Sequence, residues 1–249
     1  MVILKLPDEI ERARASSQIV AEVLNKLRDK VKPGVTTNEL DKFAEEVARK
    51  RGAKPAFKGY RGYPYSLCTS VNEEVVHGMP SERILIEGDI ISLDFGVFYN
   101  GFFGDAAITL PVGKITDTAR KLIDVTEQSL YVGIEQAKKG NRLGDISSSV
   151  QQTVEPPGFS VVRDFVGHGI GRNLHEDPQI PNYGKKGRGI ELKSGMILAI
   201  EPMVNQGSYR VKILEDGWTV VTEDGMLSAH FEHSVAITEN GPDILSKLN

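Results

Sequence analysis

The stretch SLDFGVFYNGFFGDAA, residues 92–107, sets an Asn-Gly dipeptide between two runs rich in aromatic residues. Asn100-Gly101 favours the two-residue hairpin loop whose central residues both take positive φ. With that loop, Tyr99 pairs with Phe102, Gly96 with Asp105 and Asp94 with Ala107. Side chains alternate across a strand, so Asp94 and Asp105 share one face as diagonal neighbours. Leu93, Phe95, Phe102 and Phe103 are expected to crowd around them. Two carboxylates pressed together in such surroundings repel each other and lose hydration, and a shared cation relieves both penalties.

Working outward, residues 8–31 show helical periodicity, with Ile10, Val20, Val23, Leu24 and Leu27 on one side. Lys32-Pro33-Gly34 ends that helix. Thr36-Thr37-Asn38-Glu39 has capping-box spacing, which predicts a second helix to about Arg51. Strand-like segments follow at residues 65–71, 89–99 and 101–112. A third helix is expected from Thr116 to about Gly140 and a fourth to about Val154. The two halves run in similar order. Gly34 and Gly140 are 106 apart, Asp94 and Glu201 are 107 apart, and each acid follows a glycine (Gly88, Gly195) by six residues. The spacing predicts one domain over 1–249, built from related halves of about 1–112 and 113–249 sharing a sheet. Their acids would meet at the seam, a common position for a site.

Composition narrows the function classes. The chain has 249 residues, a net charge of −4 and one cysteine, Cys68, so no internal disulfide or cysteine zinc finger is available. No Lys/Arg run suggests nucleic acid as a ligand. No apolar stretch approaches membrane-spanning length, and the first residues lack a secretory cleavage pattern. A cytoplasmic protein is the expectation.

All five histidines sit beside acidic or Gly/Pro-rich clusters: His77 in VVHGMP, His168 in GHGIG, His175 in NLHEDP, and His230 and His233 around Glu232 in AHFEHS. Glu201 ends the apolar run GMILAI, directly before Pro202. Imidazoles and carboxylates are the side chains that bind divalent metals and move protons near neutral pH. The sequence therefore predicts a metal-centred enzyme.

These residues, in this order, resemble the type I methionine aminopeptidases over essentially the whole chain. The resemblance is carried by VKPGVTTNEL, GYRGYPYSLCTSVNEEVVHGMP, DFGVFYNGFFGDAA, GHGIGRNLHEDPQIPNYG, LAIEPM and HFEHSVAIT. It implies the α+β pita-bread fold, with helices on the outer face of a curved antiparallel sheet. It further implies a dinuclear site of Asp94, Asp105, His168, Glu201 and Glu232, with Asp105 and Glu232 bridging two divalent ions. Four carboxylates balance two such ions, and this donor set suits Mn, Fe, Co or Zn. By the same resemblance a bridging water is the nucleophile, Glu201 relays its proton, and His77 and His175 hold the scissile amide. Tyr60, Tyr63, Cys68 and Trp218 would line the methionine pocket. Phe57 and Leu174 depart from the residues frequent in the family and bear on pocket preference. The implied substrates are nascent chains with a small second residue, met in transient contact with the ribosome by a monomer, and Met1-Val2 would itself qualify. A proline-directed peptidase and a non-catalytic binding protein of the same fold are the alternatives.

Overall fold

In the computed structural model, which describes residues 2–248, Asn100 and Gly101 both have positive φ, 49° and 85°. The strands around them pair Tyr99 with Phe102, Gly96 with Asp105 and Asp94 with Ala107, the predicted register. Met1 lies outside the described residues, and so does the expectation about its removal.

Two helices come first, α1 (Pro7–Arg28) and α2 (Thr37–Lys50). Short strands β1 (Lys54–Pro55), β2 (Leu67–Val71) and β3 (Glu74–Val76) precede the hairpin of β4 (Ile90–Tyr99) and β5 (Phe102–Pro111). Two more helices follow, α3 (Asp117–Glu135) and α4 (Leu143–Val154). Next are β6 (Ser160–Val161), β7 (Gly167–Gly169), β8 (Glu176–Ile180), β9 (Ile197–Ile200) and β10 (Met203–Asn205). The last are β11 (Val211–Ile213), β12 (Val220–Thr222), β13 (Ser228–His230), β14 (Glu232–Thr238) and β15 (Gly241–Ile244).

Helix limits follow local chemistry. The Thr36 hydroxyl accepts the Glu39 amide while the Glu39 carboxylate accepts the Thr36 amide, the reciprocal cap that the sequence predicts for α2. The first helix stops at Arg28, short of residue 31, where the Lys30 amide tightens onto the Leu27 carbonyl three residues back at 2.9 Å. Of its expected apolar side, Val20, Val23, Leu24 and Leu27 are buried and Ile10 is only half-buried.

The main sheet is antiparallel and ordered β1-β4-β5-β14-β9-β7-β8, with β2 on β4 and β15 on β14. It is the curved sheet of the pita-bread fold. Two three-stranded sheets, β13-β10-β6 and β11-β12-β3, flank it. The first helix covers one face closely: Ser16 Oγ reaches the Tyr99 and Phe102 carbonyls at 3.0 Å each. A Cβ on Gly104 would lie 2.5 Å from the Ser17 nitrogen, so only glycine permits this approach. Strand alternation then sends Leu93, Phe95, Gly104 and Ala106 to the helix side, and Asp94, Asp105 and Ala107 to the other. This corrects one expectation. Leu93 and Phe95 do not crowd the carboxylates, and Phe102 lies under the Arg12 guanidinium of α1.

Bonds recur between the halves. The Gly34 amide meets the Leu85 carbonyl, and the Gly140 amide meets the Leu192 carbonyl. Isolated bridges join Thr36 to Ile84 and Arg142 to Glu191. Gly34 and Gly140 share a left-handed backbone, with φ of 93° and 88°. Among the described residues, no helix is long and apolar enough to cross a membrane.

Candidate active site

A row of side chains crosses the open face of the sheet. Cys68 is paired with Asp94, Asp94 with Ala107, and Ala107 with Glu232. Directly opposed residues share a face, so the small Ala107 leaves space between two acids. Asp105, two positions along its strand, lies diagonal to both. The same argument extends to the other half: Ser234 is paired with Ala199, and Ala199 with His168. Glu232 precedes Ser234 by two residues and Glu201 follows Ala199 by two, which brings all five candidate ligands to one face.

Side chains replace the backbone ladder where the halves meet. The Ser234 hydroxyl accepts the Asp105 amide at 3.2 Å and donates to the Asp105 carbonyl at 2.8 Å. The run HFEHSVAIT is not one continuous strand. It divides at Phe231, with His230 ending β13 and Glu232 opening β14. Thr109 causes the division, because its hydroxyl takes both the amide (2.9 Å) and the carbonyl (2.8 Å) of His230.

Donor atoms of Asp105, His168 and Glu232 lie within 4.8 Å of one another, and all three residues are buried. Asp94 Oδ1, Asp105 Oδ1 and Glu232 Oε1 are buried without hydrogen-bond partners. Burial, followed by the neighbouring carboxylates, pushes Asp105, Glu201 and Glu232 well above the usual carboxylate range. Burial raises Asp94 to about 7, with a hydrogen bond from Asp105 acting the other way. A divalent cation would supply the missing partner of each orphaned oxygen and offset the repulsion. The donor set fits such a metal.

His168 is held neutral, its pKa lowered to about 3 by burial and then by His175. Its Nδ1 faces the Gly169 carbonyl at 2.9 Å, which leaves Nε2 free toward the acids, 3.5 Å from Glu201 Oε1. His77 has a left-handed backbone, φ 60°, uncommon for a non-glycine residue and a form of local strain that gathers at functional sites. Its ring meets Phe165 and Trp218 edge-on at 5.6 and 6.3 Å. Burial lowers it to about 4, and burial also lowers His175. The Tyr60 hydroxyl lies 2.9 Å from His175 Nδ1, and the two rings stack at 5.3 Å. With that hydroxyl donating, Nε2 carries the imidazole proton.

All eleven side chains that the resemblance assigns to catalysis, metal or the methionine pocket line one cavity of about 160 Å³, together with Phe57, Leu174 and Arg61. Its acidic end is the cluster above. Its other end is aromatic: Tyr63 meets Trp218 edge-on at 5.1 Å and turns its hydroxyl to the Leu67 and Gly78 carbonyls. Burial raises the Cys68 thiol, keeping it protonated. Sequence reasoning missed two neighbours. Arg61 reaches the cavity mouth from a left-handed backbone (φ 49°), and His230, 1% exposed, sets Nε2 3.7 Å from Glu201 Oε2. The position of His230 beside Glu232 was visible, but its partner lies across the sheet.

Residues 11–239 match metallopeptidase family M24. The chain is 60% identical to the methionine aminopeptidase of Clostridium perfringens, over all of both chains. It superposes on the crystal structure of methionine aminopeptidase from Thermotoga maritima with a TM-score of 0.98 and 51% identity, covering both chains fully. The prolidase from Pyrococcus furiosus shares the fold at a TM-score of 0.79 and 24% identity, over 99% of this chain and 66% of its own. The buried carboxylate-imidazole cluster suits a metallopeptidase, and by these matches the chain belongs to metallopeptidase family M24 and, within it, to the methionine aminopeptidases.

Proposed function

We propose that the chain removes N-terminal methionine from peptides and nascent proteins whose second residue is small and uncharged. One observation carries this reading: an acidic cluster and an aromatic slot share one cavity of about 160 Å³. The slot suits an unbranched, polarizable thioether. Asp94, Asp105, His168, Glu201 and Glu232 would hold two divalent ions from among Mn, Fe, Co and Zn, with four carboxylates balancing four positive charges. When bound, the ions supply Lewis acidity toward water and a fixed charge beside the free α-amine.

The protein's own groups do the rest. Glu201 is a buried carboxyl beside His168 and His230, suited, once kept ionised by the ions, to take a proton from the attacking water and pass it to the leaving amine. Neutral His77 and His175 donate to the scissile carbonyl oxygen as negative charge develops there. Tyr60, assigned to the pocket by resemblance, also orients His175 through its Nδ1 contact. Tyr63, Cys68, Trp218, Phe57 and Leu174 enclose the methionine side chain.

Residues 1–249 are read as one catalytic domain of two related halves, supported by the recurring Gly34 and Gly140 bonds. The working context is a cytoplasmic monomer in transient contact with the ribosome. Methionine release from Met-Ala-Ser by metal-loaded protein, with Met-Leu-Ser and an Xaa-Pro peptide left intact, is the expected result. Cleavage of the Xaa-Pro peptide without methionine release would move the assignment to a proline-directed peptidase.

A further inference from the structure

Leu4 and Leu6 on the N-terminal arm are 48% and 63% exposed, while Lys5 between them is buried at 6%. Hydrophobic burial alone would turn the arm the other way round. Lys5 is held inward by polar partners. Its Nζ pairs with the Glu176 carboxylate, the two side chains being 3% and 5% exposed, and donates to the Ile3 carbonyl at 3.1 Å. The Lys5 amide donates to the Gly195 carbonyl at 2.7 Å.

Glu176 follows His175 in the chain. Its second oxygen accepts the Asn173 amide at 3.0 Å, closing the loop that presents Leu174 and His175 to the cavity. The lysine passes so near this loop that a Cβ on Gly171 would lie 2.4 Å from Lys5 Cε. Arg172 in the same loop pairs with Glu9 of α1 at 2.7 Å. The loop's backbone is anchored by the Phe103 amide on the Gly171 carbonyl and by the Gly169–Glu176 pairing, and its side chains are tied to the arm and the start of α1, far away in sequence. A buried ion pair is a directional tie, and removing one partner strands the other charge.

We infer that Lys5 is a positioning residue for His175, acting through Glu176 to hold the imidazole in the cavity beside His168. This rests on the reading of His175 as a donor to the substrate carbonyl. Misplacing a reacting group by about 1 Å costs up to roughly 100-fold in rate.

The test is a double-mutant cycle on metal-loaded protein with Met-Ala-Ser, reading kcat, KM, metal content and Tm. Lys5→Met should lower kcat by roughly 10–100-fold with metal content kept, and Lys5→Arg should recover most of the loss. Added to His175→Ala, Lys5→Met should cost nothing more, because its effect passes through the missing imidazole. Equal slowing of both backgrounds, or a lower Tm with kcat unchanged, would overturn the inference. Should Lys5→Met fail to fold, Glu176→Gln takes its place in the cycle under the same criteria. A His175→Ala variant with wild-type kcat would instead refute the reading of His175.

Discussion

Asp94 and Glu232 face the same residue, Ala107, from strands on either side of it. Three adjacent strands thereby hold two acids apart by one methyl group, with Asp105 diagonal to both. Without a cation, three oxygens of this group are buried and unpartnered. The arrangement stores repulsion that metal binding relieves.

Asp105→Asn keeps the side-chain shape and removes the cost of holding this buried acid protonated at neutral pH. In metal-free protein it should raise Tm by roughly 2–8 °C, the shift for about 1–2 kcal/mol in a chain of this size. The same variant should lose its metal-dependent gain in Tm and about 100-fold or more in methionine release. Scanning calorimetry with and without Mn reads the first effect, and peptide hydrolysis the second.

The same charges set a pH dependence. In metal-free protein burial raises Asp94 to about 7 and holds the other three acids well above the usual carboxylate range, so the native state keeps protons that the unfolded chain sheds above about pH 4. The native state then binds more protons, and this part of stability falls as pH rises from about 4 through 7. The buried histidines act oppositely. His77 and His233 titrate at about 4, and His168 and His230 at about 3. Their part of stability rises from those values to about 6.5, the unfolded pKa. Metal replaces the carboxyl protons and binds neutral His168, which further opposes its protonation, while the part from His77, His230 and His233 stays. The Tm gap between loaded and stripped protein should therefore widen from about pH 5 to about pH 8, and a gap that narrows would contradict the assignment.

His77→Ala should leave metal content unchanged and lower kcat by roughly 100-fold, the range for one donor to a developing oxyanion. Tyr60→Phe, which removes the hydroxyl beside His175 Nδ1, should cost less, about 10-fold. Metal analysis beside steady-state kinetics checks both. Metal loss in His77→Ala would mean that this imidazole is a ligand.

The hairpin was legible because Asn100-Gly101 specifies its own turn, and the turn then dictates which acids share a face. The capping box at Thr36 was legible for the same local reason. The division at Phe231 was not, since Thr109 imposes it from another strand. Nor was the burial of Lys5, where a distant carboxylate outweighs the leucines on either side. Local turn chemistry can be read along the chain, whereas a partner brought in by the fold cannot.

His230 belongs to that second kind. Its buried Nε2 lacks a hydrogen-bond partner and faces Glu201 Oε2 at 3.7 Å, so a shift of about half an ångström would let an N–H donate to that carboxylate. His230→Leu should lower metal affinity or kcat by roughly 10–100-fold, and His230→Gln, which keeps a donor, should lose less. Competition with a fluorescent chelator gives the affinity. Equal losses in both variants would show that ring packing, and not the donor, matters.

The most direct measurement is methionine release from Met-Ala-Ser by chelator-stripped protein titrated with Mn, Fe, Co and Zn, alongside the Asp94→Ala variant. Release should be absent after stripping, return with added metal in the wild type, and stay absent in the variant. Full release from stripped protein, or equal recovery in the variant, would contradict a metal centre built on Asp94, Asp105, His168, Glu201 and Glu232.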